Sequence, residues 1–140
     1  MEEKQKIIPI NNHIDLYRLM NLGKEYSNKI GFNFADQNLI ATALSELGTN
    51  ILRYAKQGEI IISIILDHDE YRGLKIIAHD QGPGIKDIDE ALKDNYSTNG
   101  SLGLGLPSVK RMMDEFTIES TVGIGTKIII KKWKKNHGNH

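Results

Sequence analysis

Residues 59–85 read EIIISIILDHDEYRGLKIIAHDQGPGI, and the reading of the whole chain turns on them. Two apolar runs rich in isoleucine, EIIISIILD (59–67) and LKIIAHD (74–80), flank the polar segment DHDEYRG. β-Branched residues suit a pleated, half-buried surface, so the spacing predicts an antiparallel hairpin opened by Gly58. The second strand ends on Asp80, and DQGPGI (80–85) follows as a turn. A carboxylate at a strand end can line a ligand crevice, where its oxygens accept hydrogen bonds from an exocyclic amine of the kind adenine carries. Gly82 and Gly84 permit φ > 0 and let a flat ring approach the backbone. Standing alone, the segment reads at least as readily as a plain Pro-Gly turn.

Upstream, IIPI (7–10) reads as a short first strand. From His13 to Ile30 the apolar residues Leu16, Leu19, Met20, Leu22 and Ile30 recur at roughly helical spacing, and Gly31 ends the run. Asp36 is placed to cap a second helix running to about Tyr54, with Leu39, Ile40, Ala43, Leu44, Leu47 and Ile51 as its buried stripe. Downstream, IDEALKD (88–94) suggests a short helix and NYSTNGSLGLGL (95–106) a glycine-punctuated loop. Pro107 suits the first turn of a further helix reaching about Asp114, since it lacks only an N–H that would be unpaired there. FTIES (116–120) and GTKIIIKKW (125–133) read as a second hairpin, and the polar end of the chain, 136–140, as a frayed tail. No repeat or linker divides the chain, so residues 1–135 are expected to form one domain. The expected class is α/β (α+β): a two-layer sandwich with helices on one face of a mixed, largely antiparallel sheet.

With 140 residues, 39% of them hydrophobic, the chain can bury a real core and is too apolar for a disordered segment. Eighteen basic and eighteen acidic side chains cancel to a net charge of zero, which argues against broad electrostatic binding to nucleic acid or to an anionic membrane. The absence of cysteine excludes disulfides, thiolate metal sites and cysteine nucleophiles. The charged start MEEKQK is unlike a signal peptide, and no apolar run approaches the ~20 residues that span a bilayer. A cytoplasmic protein is expected.

Three further segments have chemical potential. Glu46 and Asn50 lie four apart in ELGTN (46–50) and share one helix face. Asn offers a carbonyl oxygen suited to Mg²⁺, and Glu a carboxylate able to take a proton from an attacking hydroxyl. Any solvent-facing helix can supply such a pair. GSLGLGLPSVKR (100–111) frees the backbone with three glycines ahead of a helix, an arrangement suited to phosphates and equally to a flexible connector. It fits neither the Walker register nor a dinucleotide fold. GIGT (123–126) reads first as a β-turn, with Thr126 able to reach Asp80 if their strands are neighbours. Trp133 reads as cover for the core edge, and the lysines from Lys127 to Lys135 as protection of an edge strand.

The order ExxxN, DxGxG, GxxGxG, GxGT resembles the Bergerat-fold (GHKL) superfamily of gyrase, Hsp90, histidine kinases and MutL over about residues 35–133. Carried over, the resemblance implies ATP and Mg²⁺ as cofactors. It puts a metal-holding role on Asn50 and a base role on Glu46. Adenine contacts fall on Asp80, with Gly82, Gly84, Ile85 and Thr126 around it, and a phosphate lid on Gly103, Leu104, Gly105 and Leu106. Small size, and no early hairpin bearing a phosphoacceptor histidine, point within the superfamily to the bacterial partner-switching serine kinases and anti-sigma factors. LKIIAHDQGPGI, LGLGLPSVKRMMDEF and IESTVGIGTKIIIKKW look most like the switch kinases of the stressosome. Such kinases phosphorylate STAS-domain scaffold or antagonist proteins on Ser/Thr and activate a PP2C-type phosphatase by binding it. The alternative is an anti-sigma factor that sequesters a sigma subunit. Tyr54 stands where several superfamily members have His or another polar residue.

Overall fold

A computed structural model describes residues 2–93 and 105–134. Strand β1 (Glu2–Ile10) leads into helices α1 (His13–Ile30) and α2 (Phe34–Asn50), and α2 runs on into a π-helical turn, Ile51–Ala55. Strands β2 (Gly58–Leu66) and β3 (Arg72–Asp80) follow, then the short helices α3 (Ile88–Ala91) and α4 (Leu106–Met112) and strands β4 (Glu115–Thr121) and β5 (Gly125–Trp133). The sheet order is β1-β2-β3-β5-β4. A mixed sheet was allowed for; all four pairings are antiparallel.

Both predicted hairpins form, β2–β3 and β4–β5, and the second inserts its later strand beside β3. That insertion decides the site, because it brings Thr126 opposite Asp80 in the register. Strand β1 extends further toward the N-terminus than IIPI, pairing with β2 across an irregularity between Glu3 and Lys6. The charged text there has little strand character of its own; the pairing partner supplies it.

Two helix boundaries differ in detail from the sequence pattern. The cap of α2 is Asn33, whose side chain accepts the Asp36 N–H at 2.8 Å, so Asp36 stands in the first turn and is not the cap. Both residue types suit an N-cap, and the chain enters the helix at the earlier one. At the other end the α-helix stops at Asn50, and the widened π turn carries the chain to Ala55. Helix α1 ends as expected, with Gly31 in the left-handed region at φ 95°.

The core lies between the helix layer and one sheet face. Ile10, Ile60, Ile62, Leu74, Ile76 and Ile130 project from the sheet against Leu19, Ile40, Leu44, Leu47 and Ile51. Helices α1 and α2 approach closely at Gly48, where a Cβ would fall 2.6 Å from a Leu16 methyl. This packs the Glu46–Asn50 end of α2 tightly against α1. On the opposite face the Trp133 ring lies over Gly73, and its Nε1–H donates to Glu115 at 2.7 Å, so it covers the outer sheet face and not the core edge expected from the sequence, because strand alternation turns Lys132 inward and Trp133 outward. Among the described residues no helix is long and apolar enough to cross a membrane.

Candidate functional site

The end of the sheet at which β3 finishes opens into a cavity of about 330 Å³ beneath α2 and the π turn. Ala78 and Ile128 contribute to its wall from the sheet, Leu47 and Ile51 from the helix side. Asn50, Asp80, Gly84, Ile85, Leu106 and Thr126 line it as well, so six of the residues singled out in the sequence meet at one place. The 39% hydrophobic composition gives no hint of such a gathering; the register of β3 against β5 produces it.

Asp80 is fixed from several sides. It stands opposite Gly58 in β2 and Thr126 in β5, and its Oδ1 accepts the Gly82 N–H at 2.9 Å. That bond is an Asx-type turn, the local geometry for which Asp is favoured at a strand-to-turn junction. Gly82 then packs on the π turn, where a Cβ would fall 2.6 Å from the Ala55 Cβ. Gly84 has φ 79°, and a side chain there would run into the Thr121 carbonyl. The loop is tied to the β4–β5 turn by two more bonds: the Gly123 N–H donates to the Pro83 carbonyl at 2.8 Å, and the Ile85 N–H to Ser120 Oγ at 2.7 Å.

Ser120 is the hub of this end. Its hydroxyl donates to the Gly125 carbonyl at 3.1 Å and lies 2.8 Å from Thr126 Oγ1. A serine has one proton. With that proton on Gly125, the hydroxyl proton of Thr126 goes to Ser120, and the Thr126 oxygen keeps lone pairs for a donor in the cavity. Asp80 and Thr126 therefore present acceptors side by side.

The helix side is built differently. Asn50 is the last residue of α2 and Tyr54 lies four further on, in the π turn. Both line the cavity, and the Tyr54 hydroxyl is buried with no hydrogen-bond partner among the described residues. Sequence reading noticed Tyr54 only as a departure from a family pattern; the signal that could have found it is its spacing of four from Asn50. Glu46 stands one turn before Asn50 and does not line the cavity wall. Its carboxylate lies against Gly105, which has φ 68° and leaves no room for a side chain. Gly105 leads into α4, whose first residue, Leu106, is buried and reaches the cavity. Gly103 and Leu104 lie outside the described residues; Gly105 and Leu106 are the part of the predicted lid that is described.

Residues 35–136 match the family of histidine kinase-, DNA gyrase B-, and HSP90-like ATPases. The chain is 46% identical over 129 residues to the serine/threonine-protein kinase RsbT of Bacillus subtilis (strain 168), covering 92% of this chain and 96% of that one. It is 34% identical over 104 residues to the anti-sigma F factor of Priestia megaterium, covering 69% of each. Among solved structures, the RsbU and RsbW domains of Rv1364c from Mycobacterium tuberculosis superpose with a TM-score of 0.61 at 16% identity, over 95% of this chain and 33% of that one.

Proposed function

The chain belongs to the family of histidine kinase-, DNA gyrase B-, and HSP90-like ATPases, and we propose that it is a serine/threonine protein kinase of a bacterial partner-switching stress pathway. It moves the γ-phosphoryl of Mg-ATP to a Ser or Thr hydroxyl of a STAS-domain scaffold or antagonist protein in the cytoplasm. Released from that partner, it activates a PP2C-type phosphatase by binding it. The observation that carries this reading is the 46% identity to a serine/threonine kinase along nearly the full length of both chains. The anti-sigma relative matches over 69% of this chain and at lower identity.

The cavity fits the nucleotide on chemical grounds. Paired acceptors on Asp80 and Thr126 suit an adenine amine, the Ala78, Ile51 and Ile128 surfaces suit its ring, and the buried Tyr54 hydroxyl has no partner among the described residues, one that a ligand can supply. Among the described residues no cluster of three acidic or histidine side chains forms a metal cage. Magnesium suits such a place, since it is commonly held by one or two protein ligands, substrate phosphates and water. Asn50 is the residue to hold it, and when bound it neutralises charge on the phosphates.

Phosphoryl transfer asks the protein mainly for positioning and charge stabilisation. Asp80 and Thr126 fix the base, Leu106 closes over the cavity, and Gly105 brings the predicted lid to Glu46. The Glu46 carboxylate then orients the acceptor hydroxyl and takes its proton. The test is incubation of the chain with labelled ATP, Mg²⁺ and candidate STAS proteins. Label on a Ser or Thr that disappears in Asn50→Ala is expected. ATP binding without transfer, together with retention of a sigma factor, would overturn the kinase in favour of a sequestering module.

A further inference from the structure

Lys132 occupies the inward-facing position of β5 that follows Ile128 and Ile130, and only 8% of it is exposed. An ammonium is costly to bury unless paired, and an apolar residue of similar volume is often neutral or better at such a place. The partners of Lys132 indicate what the charge does. Its Nζ donates to the Met112 carbonyl at 2.9 Å and lies 3.8 Å from Asp36 Oδ1. Met112 is the last residue of α4, where carbonyls lack helical partners and a cation is favoured; Asp36 is in the first turn of α2.

The same two helices meet again at their opposite ends, on the nucleotide side. There Gly105, which precedes α4, abuts the Glu46 carboxylate of α2, and Leu106 lines the cavity that Asn50 of α2 also lines. Helix α4 is seven residues long, roughly 10 Å at 1.5 Å per residue. A shift of its C-terminal end is therefore carried to Gly105 with little attenuation. We propose that Lys132 is a positioning residue: it clamps α4 to α2 at the end remote from the nucleotide, and so sets the Glu46–Gly105 contact on the phosphate side. The role rests on the kinase reading for its catalytic consequence, but not for its effect on nucleotide binding.

The test compares the wild-type chain with Lys132→Met and Lys132→Arg in three measurements: thermal melting, affinities for ADP and for a non-hydrolysable ATP analogue, and single-turnover label transfer to a STAS protein. In Lys132→Met, ADP affinity is expected to stay within about threefold. Analogue affinity should fall further than ADP affinity, and the transfer rate should fall at least tenfold (~1.4 kcal/mol). Lys132→Arg, which keeps charge and donor, should recover most of the transfer rate. Parallel loss of ADP affinity, analogue affinity and transfer, or a wild-type rate in Lys132→Met, would overturn the proposal. If Lys132→Met does not fold, Asp36→Asn replaces it: a smaller fall in the analogue-to-ADP affinity ratio is expected, and an unchanged ratio counts against the clamp. The ratio needs no catalysis. A wild-type chain that binds nucleotide and transfers no label sinks the kinase reading alone and leaves the clamp to be decided by the ratio.

Discussion

The two ends of the proposed nucleotide site are held by different means. At the Asp80 end, strand register sets Thr126 beside the carboxylate, and Ser120, Gly82 and Gly123 bond the loop to the sheet margin. At the Glu46 end, the groups hang from the last turn of one helix and the first residue of another, Gly105 and Leu106 against α2. A sheet end that is bonded from both sides is pre-organised before any ligand arrives. A contact between two helix ends holds only as well as the helices are held to each other. The difference teaches where loss of a side chain should appear: in binding at the first end, and in the rate of transfer at the second.

The largest expected effect tests the second end. Glu46→Gln keeps the shape and the contact with Gly105 but removes the basic carboxylate. A general base contributes typically ~10²–10⁴-fold, so single-turnover transfer should fall by about that factor while ADP affinity is unchanged. Equal transfer rates would remove Glu46 from the chemistry. Next comes Asp80→Asn at the first end. Hydrogen bonds to a charged group are worth ~1.5–3 kcal/mol, so nucleotide affinity measured by calorimetry should drop about ten- to a hundredfold. The maximal rate at saturating ATP should change far less. If the affinity loss fell on Glu46→Gln and the rate loss on Asp80→Asn, the division between the two ends would be wrong.

Much of this was legible in the sequence, for reasons that can be named. The isoleucine runs of β2 and β3, and the glycines flanking them, specify a hairpin through local patterning. The run from Gly125 to Trp133 does the same for β5. What the sequence left as a condition was the neighbour relation of β3 and β5: Thr126 faces Asp80 only because β5 inserts between β3 and β4, a non-local choice. Asn33 displaced Asp36 as the cap of α2 because two good capping residues lie three apart and only packing selects between them. The π turn at 51–55 has no signature that separates it from the helix before it, so only the spacing of four from Asn50 pointed to Tyr54 as a lining residue. Lys132 was read as one of several edge-protecting lysines. It stands at an inward-facing position of an interior strand, because β4 continues the sheet beyond β5.

Smaller effects should sharpen the comparison within the Asp80 end. Gly84→Ala forces a side chain onto φ 79° and into the Thr121 carbonyl. Such strain costs on the order of 1–3 kcal/mol, so the melting temperature should fall measurably and nucleotide affinity with it. Ser120→Ala removes the hub that accepts the Ile85 N–H and meets Thr126. One hydrogen bond is worth ~1 kcal/mol net, so an affinity loss of about fivefold is expected, with the transfer rate at saturation preserved.

Tyr54→Phe should have the smallest effect and carries a sign of its own. The hydroxyl is buried with no partner among the described residues, so its burial carries a desolvation cost that no bond to them offsets. Removing it should leave the melting temperature of the free protein unchanged or slightly raised. If the hydroxyl finds its partner on the nucleotide, the same change should weaken ATP binding by about 0.5 kcal/mol, the low end for one hydrogen bond and roughly twofold in affinity. Affinity then falls with no loss of stability in one variant, which neither a packing defect nor a silent substitution produces. Because Tyr54 stands on the π turn between Asn50 and the Ala55 that Gly82 packs against, the split between affinity and rate in this variant also assigns the middle of the cavity. An affinity loss alone puts Tyr54 with Asp80, and a loss of rate puts it with Glu46.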